Sequence, residues 1–294
     1  MKIGGFRLLD PVPECNEPYV FAALRPWIDV NNVGSLVLNE LEMRFNAMEL
    51  GKLSTPGNFF DFTRYRPIVH LDEGIRELSI PNARIFYARK NGQKDLFMLH
   101  LLEPHARAEF FVSSVMKFLE TFKVQKYILL GSMYDAVPHT RPLLVSGYGA
   151  GEKALQDIKK AGVLPITYQG PSSIANLITK KAAESGIEVA VFIVSLPQYV
   201  VLEEDYQGKV RLMEILNMLY DIPIDKEDFD KALKQRNFIS ERLESSPEVK
   251  MLLPQLENTY DLRVNAMDSE GTQGLTPEME EFFWKIMGKD IGRA

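Results

Sequence analysis

The alternation of apolar and polar positions divides the chain into three textures. Residues 1–17 hold no sustained period and read as an irregular leader. PYVFAAL (18–24) is an apolar run of strand length. Asp29, Asn31 and Asn32 then offer N-cap oxygens to a helix ending near Phe45, with Val33, Leu36, Val37, Leu41 and Phe45 at helical spacing. Between 49 and 102 the apolar runs shorten to 67–71, 76–80, 83–89 and 95–102. Pro81-Asn82 and Asn91-Gly92 punctuate them, which predicts antiparallel hairpins. Leu96–Leu102 is apolar at successive positions and predicts a buried central strand.

The second texture begins after Pro104. Phe110, Phe111, Val115, Phe118, Leu119 and Phe122 form a helical stripe within 106–123. Strands are predicted at 126–133, 143–149, 165–170 and 188–196, with helices at 151–161 and from Ser172 or Ser173 to Glu184. Strands separated by helices imply parallel pairing through right-handed crossovers. The fold class is therefore α/β, a three-layer mixed sheet with helices on both faces.

The third texture is helical. From 207 onward no strand pattern remains, and helices are predicted at 209–220, at 225–243 and from Ser246-Pro247. The last carries Val249, Leu252, Leu253, Leu256 and Tyr260 along one face. Residues 265–275 are polar and Gly-containing and read as a linker. Thr276-Pro277-Glu278 opens a short helix striped by Met279, Phe282, Phe283 and Ile286, which should dock on this body or on a neighbour. The expected organisation is an α/β domain at 1–206, a C-terminal helical segment at 207–264, and a linker with terminal helix at 265–294.

Composition narrows the function classes. At 46% hydrophobic and 25% charged over 294 residues, the chain is of ordinary globular type, large enough to need no disulfide or metal staple. The net charge of -6 and the lack of a basic patch interleaved with aromatics argue against a nucleic-acid partner. Neither a signal-peptide core nor a run of about 20 apolar residues is present, so the expectation is a cytoplasmic protein without a membrane span. The single cysteine, Cys15, fits a reducing compartment, and no basic neighbour activates it.

Motifs with chemical potential are few. His100 and His105 in HLLEPH stand five apart across Pro104, which is not the helical pair of a zinc site, and no metal or other cofactor is expected. GYGAGEKA (147–154) follows a strand and opens a helix, yet Ala154 and Glu152 break the two phosphate-loop spacings. LGSMYD (130–135) lacks the flanking glycines of a nucleophile elbow at Ser132. PHTRP (138–142) is the most distinctive string. It follows a predicted strand, where ligands gather in open α/β sheets. Either it binds a carboxylate or phosphate with Arg141 as a bidentate fork, or Arg141 pairs with an internal carboxylate and the prolines fix the loop. The candidate ligand set is Arg66, Glu103, His139, Thr140 and Arg141, with no catalytic residue assigned.

Several strings together resemble the proteasome assembly chaperone 2 family. These are WID with a glycine-bearing helix (Trp27, Asp29, Gly34), FDF…RYRP (Asp61, Arg66, Pro67), and LLEP (Glu103, Pro104). PHTRP follows after a strand bearing Gly131, then YQGPSS (168–173) and LPQYV (196–200). Two positions depart from the family pattern, the WIDVNNVG turn and His100. The resemblance implies a phosphorylase/hydrolase-like fold, self-association as a homo-oligomer with a trimer as first expectation, and help in assembling proteasome α-subunits. Some relatives carry a carboxylate–amine ligase label, which requires an ATP site that these spacings lack. Two functions follow as expectations: a non-enzymatic assembly or interaction protein, and a small-molecule enzyme or ligand-binding protein using the strand-end residues.

Overall fold

Strands that are apolar on both faces take the middle of the sheet. The computed structural model describes residues 1–72, 74–89 and 94–269. The first half of the chain forms β1 (Lys2–Ile3), β2 (Phe6–Leu8), β3 (Tyr19–Arg25), α1 (Val33–Arg44), β4 (Met48–Leu53), β5 (Ile68–Asp72), β6 (Ile75–Ser79), β7 (Arg84–Ala88), β8 (Leu96–Leu102), α2 (Ala108–Thr121) and β9 (Lys126–Asp135). The second half forms β10 (Val145–Ala150), α3 (Glu152–Lys160), β11 (Leu164–Pro165), α4 (Ala175–Glu184), β12 (Glu188–Pro197), α5 (Tyr206–Tyr220), α6 (Lys226–Glu244) and α7 (Pro247–Ser269).

Ten strands make one sheet in the order β1-β2-β4-β7-β8-β3-β9-β12-β10-β11. The centre, β8-β3-β9-β12, is parallel. On one side β7, β4 and β2 continue it antiparallel. The remaining strands, β5 and β6, pair only with each other.

The period of two sorts side chains between two cores. Val20, Ala22, Leu24, Phe97, Leu99, Leu129, Val191 and Ile193 face one layer, shared with Phe111, Val115 and Phe118 of α2 and Ile178 of α4. Phe21, Ala23, Met98, Ile128, Leu130, Phe192 and Val194 face the other, shared with Val37 and Leu41 of α1, Ala154 of α3, and Leu212, Met213, Ile215 and Leu216 of α5. The three-layer mixed α/β architecture is thus present. The expected boundary at 206 falls at the start of α5, whose Leu212, Met213, Ile215 and Leu216 line the second core.

Several expectations need correction. The leader contains β1 and β2, and β4 occupies a stretch that held no prediction. Pro81-Asn82 does not close a hairpin, because β6 pairs with β5 whereas β7 pairs with β4 and β8. β10 runs antiparallel to β12. No helix separates it from β9, so the loop 136–144 returns the chain at the same sheet end. The strand expected at 165–170 stops at Pro165, which ends an edge strand because it has no N–H to donate. Residues 265–269 of the expected linker belong to α7, which continues to Ser269. The rest of that linker, the Asn91-Gly92 turn and the terminal helix from Thr276 lie outside the described residues.

Candidate functional site

The PHTRP loop joins the end of β9 to the start of β10, at the carboxyl ends of the parallel strands. His139 turns back on Tyr199, just past β12. Its backbone N–H donates to the Tyr199 hydroxyl at 2.9 Å, and its Nδ1 lies 2.9 Å from the same oxygen. One hydroxyl can accept from the backbone and donate to Nδ1, which suits a neutral imidazole carrying its proton on Nε2. Burial lowers the His139 pKa, Glu257 opposes that shift, and Arg236 adds to it.

The next two residues meet α7. Thr140 Oγ1 donates to the Glu257 carboxylate. Arg141 Nη1 reaches Glu257 Oε1 at 3.2 Å, while Nε and Nη2 reach the two Asp261 oxygens at 3.2 and 3.3 Å. Arg263 Nη1 lies 3.0 Å from Asp135 at the tip of β9. Between these polar contacts Tyr260 is buried among Val137, Leu144 and Leu164. Glu257 and Asp261 are one helical turn apart, so one side of α7 presents both acids to the loop. The fork that could hold a ligand carboxylate holds two of the chain's own.

Glu103 ends up elsewhere. It follows β8, and one carboxylate oxygen accepts the Ile174 N–H at 2.9 Å just ahead of α4. The other oxygen is buried without a hydrogen-bond partner among the described residues. Burial raises the Glu103 pKa, against the Ile174 bond. The Tyr65 hydroxyl donates to the Glu103 carbonyl at 3.1 Å. Arg66 is exposed, and among the described residues it makes no hydrogen bond or ion pair. The structure therefore gathers His139, Thr140 and Arg141 against α7, and no shared partner ties Arg66 or Glu103 to them.

The other motifs resolve into structural roles. At the start of α3 the Glu188 carboxylate accepts the N–H groups of Ala154 (2.8 Å) and Lys153 (3.4 Å), filling the place a phosphate would take. Gly151, at φ +94°, is required there, since a Cβ would collide with that carboxylate. Ser132 is buried and donates to the Val30 carbonyl. Asp29 is buried at the start of α1 and accepts from Gly34 N–H (2.6 Å) and Ser35 Oγ (2.6 Å). Burial raises its pKa and these bonds pull the other way. Gly131 lets the Ile28 carbonyl approach β9, where the Ser132 N–H donates to it at 2.9 Å.

His100 contacts Glu42, and His105 Nδ1 accepts the Asp61 N–H at 3.1 Å. Burial, with a smaller push from Asp95, drives the Cys15 thiol up to about 12, and nearby Arg89 offsets little of it. Among the described residues no three His, Cys, Asp or Glu side chains gather to hold a metal ion, and no helix is long and apolar enough to cross a membrane.

The sequence matches the model of the PAC2 family over residues 23–243, from within β3 to the last turn of α6. This chain belongs to the PAC2 family. Solved structures of similar fold include a Streptomyces avermitilis PAC2 family protein, with TM-score 0.71, 25% identity, and coverage of 80% of this chain and 99% of that one. A Mycobacterium tuberculosis proteasome-assembly chaperone homologue gives TM-score 0.70 at 22% identity over 80% of this chain and 99% of that one. A Corynebacterium glutamicum protein of unknown function gives 0.78 at 21% identity over 90% and 100%. No curated protein sequence matches.

In this PAC2 protein the residues that sequence reasoning passed over are Tyr199, Glu257 and Asp261. Tyr199 sits in the LPQYV string. Glu257 and Asp261 flank Tyr260 on the predicted face of α7, a signal that needed the fold to connect it to Arg141.

Proposed function

We propose that this PAC2 protein is a non-enzymatic assembly protein with a chaperone-like role, acting through protein contacts. The observation that carries this reading is the seat of α7. At the strand ends, where an open α/β sheet holds small ligands, the Arg141 fork is engaged by Glu257 and Asp261. The likeness to a proteasome-assembly chaperone homologue supports a proteasome α-type subunit as partner. The reading includes a homotrimer as the working form and the cytoplasm as its setting, where a single cysteine stays reduced. Purified α-type subunits mixed with the protein are expected to co-elute with it on size exclusion. Separate elution at high micromolar concentration of both would sink the proposal.

One observation favours a second reading, a small-molecule site of phosphorylase/hydrolase-like or carboxylate–amine ligase-like type. Glu103 keeps one carboxylate oxygen buried and unpartnered at a strand end, and a ligand donor would satisfy it. Thermal-shift measurement against nucleotides, amines and carboxylates tests this, because a bound ligand raises Tm by mass action. No shift with any class removes it.

A further inference from the structure

The body matched by the family model ends at residue 243, and α7 begins at Pro247. The surface on which α7 sits lies inside that body. It consists of Val137, Leu144 and Leu164 with the Thr140–Arg141 corner. The family part of the fold therefore supplies the surface, and an element beyond it supplies the cover. The cover is lightly held. On this surface its apolar anchor is Tyr260, with Val264 beside it, in a small cluster separate from the two main cores. Arg141, Glu257 and Asp261 are open to water, with side chains 35%, 28% and 50% exposed, and ion pairs so placed hold weakly. Arg263 with Asp135 is the more sheltered pair of the seat. Pro254 removes one intrahelical hydrogen bond just ahead of Glu257.

We infer that this surface is the docking site for a helix of the assembly partner, and that α7 is an internal stand-in which the partner displaces. The inference rests on the assembly reading above. α7 itself specifies the chemistry of the occupant. Arg141 takes two carboxylates one helical turn apart, and Thr140 donates to the first. Val137, Leu144 and Leu164 take the aromatic ring placed between them. The partner segment is thus an amphipathic helix with acids at positions i and i+4 and an aromatic residue at i+3. A guanidinium suits such acids because it offers paired N–H donors to carboxylates. Helices laid into grooves are recognised by anchors at this spacing. Tethered to the same chain, α7 competes at high effective concentration, so the wild type is expected to rest closed.

Fluorescence anisotropy with a labelled peptide of residues 250–266 tests this on the whole chain. Glu257→Lys/Asp261→Lys is expected to free α7, speeding its amide exchange while the sheet keeps its protection. That variant is expected to bind the peptide about tenfold tighter than wild type, the ratio for a wild type open in roughly one molecule in ten. Adding Arg141→Ala is expected to abolish the binding, as is replacing both acids of the peptide by their amides. Equal affinity of wild type and opened variant, binding that survives the loss of Arg141, or an α7 that stays protected after the reversal overturns the inference. α-type subunits are expected to co-elute more fully with the opened variant, and the peptide to compete with them. Co-elution that is equal for both chains and untouched by the peptide overturns the docking site while the assembly role stands. Peptide binding as expected without any co-elution keeps the docking site and removes that partner.

Discussion

Arg141 commits all three of its donor edges to α7, so its replacement reports on that helix rather than on a ligand. Arg141→Ala is expected to speed amide exchange along α7 while β9 and β12 keep their protection, as read by hydrogen-exchange mass spectrometry. Unchanged α7 exchange would mean that Tyr260 alone seats it. His139 makes a distinct prediction. Burial holds its folded pKa below the ordinary 6.5, so the unfolded chain binds more protons between those two values. Its contribution is complete above pH 6.5 and is lost as pH falls toward the lowered value. His139→Gln should therefore flatten the fall in Tm below pH 6.5 relative to wild type. Of this site the PHTRP string was legible. Its partners were not, because Glu257 and Asp261 lie 116 and 120 residues further on, and nothing local to either side announces the pairing.

At the scale of elements, the buried ion pairs among α1, α5 and α6 decide how the second layer holds. Lys209 of α5 lies 2.7 Å from Asp228 of α6 and 3.5 Å from Glu40 of α1, and all three are buried. Glu40 also takes Arg44 at 2.7 Å. Lys209→Met leaves two carboxylates buried with their shared cation gone, at an expected cost of about 3–5 kcal/mol, measurable as a lower urea midpoint. The elements themselves were largely readable. Helices with wide apolar stripes, such as α2, declared their type through period, and continuous apolar runs of strand length, such as β8 and β12, through their length and composition. The misses have particular causes. β1 and β2 are too short to show a period, and β4 interrupts its alternation with Gly51. β10 reverses direction because a loop, not a helix, precedes it. Residues 265–269 include Ala266 and Met267 and no glycine or proline, so α7 simply continues.

Over the whole molecule, the division at 206 is the point most open to test. Phe21, Leu130 and Phe192 are covered by the same core that holds Leu212 and Leu216 of α5. A chain ended after residue 206 is expected to aggregate or melt without a cooperative transition, because that face of the sheet is laid bare. A chain ended after residue 246 keeps α5 and α6 and should still melt cooperatively, as near-ultraviolet circular dichroism would show. Independent folding of the first 206 residues would contradict the shared core. The outermost members of the large sheet have a consequence of their own. β1 and β11 each span only two residues, too few backbone donors and acceptors to template another chain. Lateral strand addition is thus closed at both margins of the large sheet, and copies of this protein should not extend into fibres through either of them.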